Sequence, residues 1–265
     1  MQPAVRILPA AIVAATVFSA SAAAELVTLQ PRPGVELRLG VEVRGNERAV
    51  ALLFAGGHGK IMLDEAGQPR GLRGNFLIRA RGHLAARGIG LVLVDAPSDS
   101  QGEEGLWPHR MTQEHADDIG QAVNFAKRRF GRPVWLVGTS AGTLSVANAA
   151  ARLSHADRPD GIVLTSTITR PPRRRPLGVF DVNLAAIRGP ALVVAHEQDG
   201  CFATPASDAP RLLAALAGAQ PKKLAVIASG LPPQGPPCEA LSAHGFLGVE
   251  GAAMSAVAAM ILEAN

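Results

Sequence analysis

The chain has 265 residues, 48% of them hydrophobic and 18% charged, enough apolar material to bury a full sheet between helix layers and too much for a disordered chain. Formal charge is +4, and the only dense cationic run, Arg173-Arg174-Arg175, is hemmed in by Pro171, Pro172 and Pro176. Such a run reads as a solvated loop and not as the basic face of a nucleic-acid binder.

Met1–Arg6 is a short basic head, Ile7–Phe18 an apolar stretch and Ser19–Ala24 a run of small residues. That order is the pattern of a cleavable secretory signal peptide. The apolar stretch is shorter than the about 20 residues a membrane span requires. Ala22-Ala23-Ala24 offers a cleavage site before Glu25, with cleavage after Ala22 as the alternative. Residues 1–24 are assigned to the signal and 25–265 to one domain, so the mature protein is expected in the periplasm or outside the cell, with no membrane span. An exported chain with two cysteines, Cys201 and Cys238, is also expected to hold a disulfide.

Leu26–Gln30 and Val35–Val43 alternate as an opening antiparallel pair, turned at Pro31-Arg32-Pro33-Gly34. Short apolar runs then follow at Ala49–Phe54, Ile89–Val94, Val134–Val137, Ile162–Thr165, Ala191–Ala195 and Leu224–Ala228. Continuous apolar strands of this kind suit a parallel sheet covered on both faces. Helical periodicity fills the intervals over Asn75–Arg87, Thr112–Phe130 (with Thr112 as N-cap), Ala141–Leu153, Pro205–Leu216 and Phe246–Leu262. The alanine-rich C-terminal stretch carries Glu250 and Glu263 and reads as a core-facing helix. Strand and helix alternate to the end, the sequence sign of an α/β fold.

The strongest chemical signal is Gly138-Thr139-Ser140-Ala141-Gly142, a G-x-S-x-G elbow between an apolar strand and a helix of small residues. A serine needs a base within reach and an acid to orient that base. With the elbow the partners follow in the chain order serine, acid, histidine. Asp199 comes after the strand Ala191–Ala195, further out on its loop than the rival Glu197. His244 lies between the last strand and the last helix. Both are loop residues at carboxyl ends of strands, where open α/β sheets place their sites. Cys201 is two residues after Asp199 and Cys238 six before His244, so a Cys201–Cys238 bridge would pin the acid loop to the base loop.

The strand Ala49–Phe54 ends in Gly56-Gly57-His58-Gly59-Lys60, whose glycines allow backbone N–H groups to turn toward a developing oxyanion. It is not a phosphate loop, which would need glycine at Phe54 and a hydroxyl at Ile61. His58 is expected near the pocket. Asp95 and Asp99, around Pro97-Ser98, either cap turns or shape the pocket. His83 and His155 read as surface residues. His109 and His115 are six apart, wrong for two ligands on one helix face, and no H-E-x-x-H or C-x-x-C occurs, so no metal site is expected.

With these motifs the chain resembles the α/β-hydrolase superfamily from about Leu26 onward. It is similar in particular to small exported bacterial serine hydrolases with a Gly-Gly-His-Gly loop (56–59), a Val-Asp-Ala-Pro-Ser-Asp strand end (94–99) and an Ala-His-Gly-Phe ending (243–246). The resemblance implies a mostly parallel eight-stranded sheet with helices on both faces and a Ser140-His244-Asp199 triad. It implies an oxyanion hole from the N–H groups of Gly57, or His58, and Ala141. Relatives with a helical lid insert it where this chain has only Ser166–Pro190, so no large lid domain is expected. The expected activity is hydrolysis of a small-molecule carboxylic ester without cofactor. Peptidase or thioesterase chemistry on the same triad, or a catalytically silent fold used as a binding module, are the alternatives.

Overall fold

The computed structural model describes residues 24–172 and 175–264; the expected signal segment up to Ala23, and Arg173 and Arg174, lie outside the described residues. Eight strands form one sheet: β1 (Ala24–Arg32), β2 (Val35–Glu42), β3 (Ala49–Phe54), β4 (Ile89–Val94), β5 (Val134–Thr139), β6 (Gly161–Thr165), β7 (Gly189–His196) and β8 (Ala219–Ile227). Their order is β1-β2-β4-β3-β5-β6-β7-β8. β2 is antiparallel to both β1 and β4, and every other pairing is parallel.

Successive side chains of a strand point to opposite faces, and here both faces are apolar. On β3, Val50, Leu52 and Phe54 enter one core while Ala49, Ala51 and Leu53 enter the other. The first core is closed by α3 (Gln113–Phe130), α4 (Gly142–Arg152) and α5 (Ala209–Ala215) through Ile119, Val123, Leu144, Val146 and Leu212. The second is closed by α1 (Phe76–Ala80), α2 (Gly82–Ala85) and α6 (Glu250–Glu263) through Phe76, Leu84, Met254 and Val257. Ala243–Glu263 is apolar and long enough to cross a bilayer by composition alone. Its helix instead buries Ala253, Met254, Val257, Ala258, Met260 and Ile261, as the core-facing reading required.

The bounds of β3 and β4 match the sequence expectation, and Thr112 caps α3 by accepting from the His115 N–H. Four elements differ. The expected helix Pro205–Leu216 is α-helical only over Ala209–Ala215, because a 3₁₀ turn at Ala206–Asp208 precedes it. The expected helix Asn75–Arg87 is split at Arg81, whose Nη1 donates to the Ile78 carbonyl. That carbonyl is the one the Gly82 N–H would need to continue the ladder. The last helix starts at Glu250 and not at Phe246, because Phe246 adopts a left-handed φ of 57° and Gly248 follows at 81°. β8 begins at Ala219, ahead of the expected Leu224, and its extra residues include Pro221, Lys222 and Lys223. It is an edge strand, where lysine and proline are tolerated and no apolar run is needed.

Candidate active site

Four strand ends converge at the carboxyl edge of the sheet. β5 runs into Ser140, which takes a left-handed φ of 52°, and α4 starts two residues later. The turn is tight enough to demand small neighbours: a Cβ on Gly138 would lie 2.7 Å from the Gly142 oxygen. A Cβ on Gly56 would lie 2.9 Å from the Ser140 Cβ, so the β3 loop approaches the elbow only as glycine. Positive φ at a non-glycine residue is backbone strain, and strain of this kind collects at functional positions.

The loop after β7 carries Asp199 and the loop after β8 carries His244. His244 Nδ1 lies 3.1 Å from Asp199 Oδ2, and both side chains are buried. Asp199 Oδ1 accepts from the Cys201 N–H at 2.9 Å, which fixes the carboxylate from its other side. Glu197 is exposed and makes no side-chain contact to His244 among the described residues. Cys201 and Cys238 are bonded, with Cα atoms 4.5 Å apart, so the loop after β7 and the loop after β8 are joined covalently.

Three hydroxyls complete this arrangement, and none was expected from the sequence. Thr204 Oγ1 donates to Asp199 Oδ2 at 2.8 Å and faces His244 Nδ1 at 3.0 Å. The carboxylate only accepts, so the hydroxyl proton goes to Asp199 and a lone pair is left for the imidazole N–H. Ser166, at a left-handed φ of 42° beyond β6, donates to the His244 carbonyl at 2.7 Å. Ser242 Oγ accepts from the His244 N–H. The imidazole is thus held from both its ring and its main chain.

Ser140, His244 and Gly57 share one cavity of about 310 Å³. Its walls are largely apolar, with Leu72, Phe76, Trp107, Ile168 and Phe202, and the bridged Cys201 and Cys238 are also part of them. Gly57 has φ 57°, and among the described residues neither its N–H nor that of Ala141 is taken by another acceptor. The segment between β6 and β7 contributes Ile168 and Pro172 to the wall and contains short 3₁₀ turns at Val179–Asp181 and Leu184–Ala186, with no α-helix among the described residues.

The other candidates fall elsewhere. His58 is not in the cavity wall; its Nδ1 accepts from the Lys60 N–H, and burial lowers its pKa. Asp95 is a capping residue, accepting from the N–H groups of Ile61, Met62, Leu63 and Ala96. Asp99 pairs with Arg32 at 2.9 Å. His83, His109 and His155 are exposed. No group of three or more potential metal ligands occurs among the described residues. His115 is buried and reaches Ser145 Oγ at 2.9 Å.

The chain has the α/β-hydrolase fold. Solved structures similar to it include Est1E from Butyrivibrio proteoclasticus with ferulic acid bound, at 15% identity over 90% of this chain and 98% of that one, TM-score 0.62. Dienelactone hydrolase from Anabaena variabilis is similar at 16% identity over 91% and 97%, TM-score 0.58. A lidless α/β serine hydrolase from Xanthomonas campestris is similar at 18% identity over 78% and 84%, TM-score 0.53. No family model and no curated protein sequence matches the chain.

Proposed function

We propose that the protein is a serine hydrolase that cleaves a small carboxylic ester through an acyl-enzyme. The observation that carries this reading is the 3.1 Å contact of Asp199 Oδ2 with His244 Nδ1, at the cavity that the strained elbow residue Ser140 also lines. With Nδ1–H directed at Asp199 and Thr204, the lone pair of Nε2 is free to take the Ser140 proton. The Ser140 oxygen bonds to the ester carbonyl carbon, and the negative charge on the carbonyl oxygen is met by the N–H groups of Gly57 and Ala141. Collapse breaks the bond to the alcohol, which leaves with the proton held by His244. Water then repeats the sequence on the acyl-serine and releases the acid.

The apolar wall suits an acyl or aryl group, and esters are the least demanding carbonyl substrates for such a site. The chemistry uses neither cofactor nor metal. The signal-like N-terminus and the disulfide support a periplasmic or secreted location. Labelling by a fluorophosphonate, together with hydrolysis of a p-nitrophenyl ester series, tests the reading. Ser140→Ala should abolish both and leave the fold intact. Asp199→Asn should lower kcat by about 10⁴-fold, the effect of losing the oriented tautomer. An active Asp199→Asn beside an inactive Glu197→Gln would transfer the acid role to Glu197. A wild-type protein that resists the label and ignores every ester would be a silent fold.

A further inference from the structure

Behind the Gly56–Gly59 loop lies a side chain that the proposed triad does not use. Arg110 is 1% exposed, and among the described residues no carboxylate pairs with it. Its Nη2 donates to the carbonyls of Ala55 and Gly57 at 3.0 and 3.1 Å. Its Nη1 donates to Ser145 Oγ at 2.8 Å, and its Nε has no partner. Ser145 Oγ in turn meets the buried His115, and neither side chain can offer the guanidinium a negative charge. Gly59 leaves the space it occupies: a Cβ there would stand 2.8 Å from Nη2.

A buried cation without a counter-charge is costly, and an apolar residue of similar volume would avoid that cost. What the cation touches explains its presence. Three consecutive peptide units run from Ala55 to His58. The outer two are held by Arg110 through the Ala55 and Gly57 carbonyls, and the middle one by the Gly59 N–H donating to the Gly56 carbonyl at 3.1 Å. In a trans peptide the N–H points opposite to the C=O. Holding the Gly56 carbonyl therefore fixes the direction of the Gly57 N–H, and holding its two neighbours prevents the unit from rotating. Arg110 itself is not part of the cavity wall.

We infer that Arg110 is a positioning residue for the oxyanion loop: it locks the two peptide units that flank the one carrying the Gly57 N–H, and its unbalanced positive charge favours the negative charge that develops on the substrate carbonyl. The inference rests on the serine-hydrolase reading given above. It adds a role that neither the elbow nor the triad requires, and it makes a different demand on kinetics from a residue that only fills space. A preorganised donor acts on the transition state and leaves ground-state binding alone.

The test is steady-state kinetics of Arg110→Met and Arg110→Gln on a p-nitrophenyl ester, with folding checked by far-UV circular dichroism and melting. A boronic acid that forms a tetrahedral adduct on Ser140 is titrated in parallel. We expect kcat to fall about 10²-fold, the order of one lost oxyanion donor, with KM within about twofold of wild type. Boronate affinity should fall by a similar factor. Folded variants with wild-type kcat, or with the loss confined to KM or to the melting temperature, would overturn the inference. Should neither variant fold, Arg110→Lys keeps the cation, but its single nitrogen on a shorter stem cannot take the places of Nη2 on the two carbonyls and Nη1 on Ser145 together; reduced kcat at unchanged KM supports the role, and full kcat refutes it. A wild-type protein inactive on esters and unlabelled by fluorophosphonate refutes the hydrolase reading and this role with it. An active wild type with an equally active Arg110→Met refutes the Arg110 role alone.

Discussion

At the residue scale, the imidazole of His244 sits in a triangle with Asp199 and Thr204, whose sides are 2.8, 3.0 and 3.1 Å. A single acceptor would leave the ring free to tilt about one hydrogen bond; two acceptors fix its plane. Thr204→Val keeps the volume and removes the second acceptor. A hydrogen bond to a charged group contributes about 1.5–3 kcal/mol, so kcat should drop by roughly 10- to 100-fold with KM nearly unchanged. Thr204→Ser keeps the hydroxyl and should retain most of the activity. Equal kcat for the valine and serine variants would show that the hydroxyl has no part in orienting the base.

At the element scale, the loops after β7 and β8 must meet for Asp199 to reach His244, and the Cys201–Cys238 bridge, closing a separation of 37 residues, joins them. Constraint of the unfolded chain by a loop of that size stabilises by about 4 kcal/mol in the chain-entropy account. Because the Cys201 N–H also holds Asp199, reduction should loosen the Asp199 carboxylate before the sheet melts. Activity is therefore expected to fall under reductant at temperatures where the far-UV signal is unchanged, and parallel loss of both would contradict this. Helix α3 carries a second testable feature in His115, whose burial pushes its pKa down to about 3. An unfolded histidine titrates at about 6.5. Between those values the unfolded chain binds the extra proton, so stability is full above the unfolded value and is lost as pH falls, by roughly 1.4 kcal/mol per unit. His115→Gln keeps a partner for Ser145 but does not titrate, and it should flatten the melting temperature between about pH 6 and pH 4. An unchanged acid slope would assign that loss to other groups.

At the scale of the whole molecule, the sheet places every chemical group at one edge, and no helical cover stands over the cavity among the described residues. Among the described residues between Ser166 and Arg188 there are short turns at Val179–Asp181 and Leu184–Ala186, and Arg175 lies over the Trp107 ring at 5.3 Å and pairs with Glu104. An open site has no lid to be displaced by a lipid surface. Rates on a short-chain triglyceride should therefore rise smoothly with concentration through its solubility limit. A sharp increase when the substrate begins to aggregate would show a closing element.

The amino-acid sequence by itself determined the alternation of strand and helix, because apolar runs and helical periodicity are local patterns with one solution each here. It also determined the elbow at Ser140, where glycine is demanded by collisions with the neighbouring backbone, and it placed Asp199 and His244 on loops at strand ends. The pairing of Cys201 with Cys238 was legible too, since both cysteines flank those loops. Where local signals compete, the sequence reading failed: Arg81 takes a carbonyl from its own helix, and Phe246 is held left-handed while its ring packs 4.6 Å from that of Phe76. The tertiary structure alone decided which polar residues support the site. Thr204 reaches His244 across 40 positions, Arg110 reaches Ala55 across 55 and Ser166 reaches His244 across 78. None of these contacts has a periodicity or a motif, because each is made only after the sheet has brought distant strand ends to the same edge.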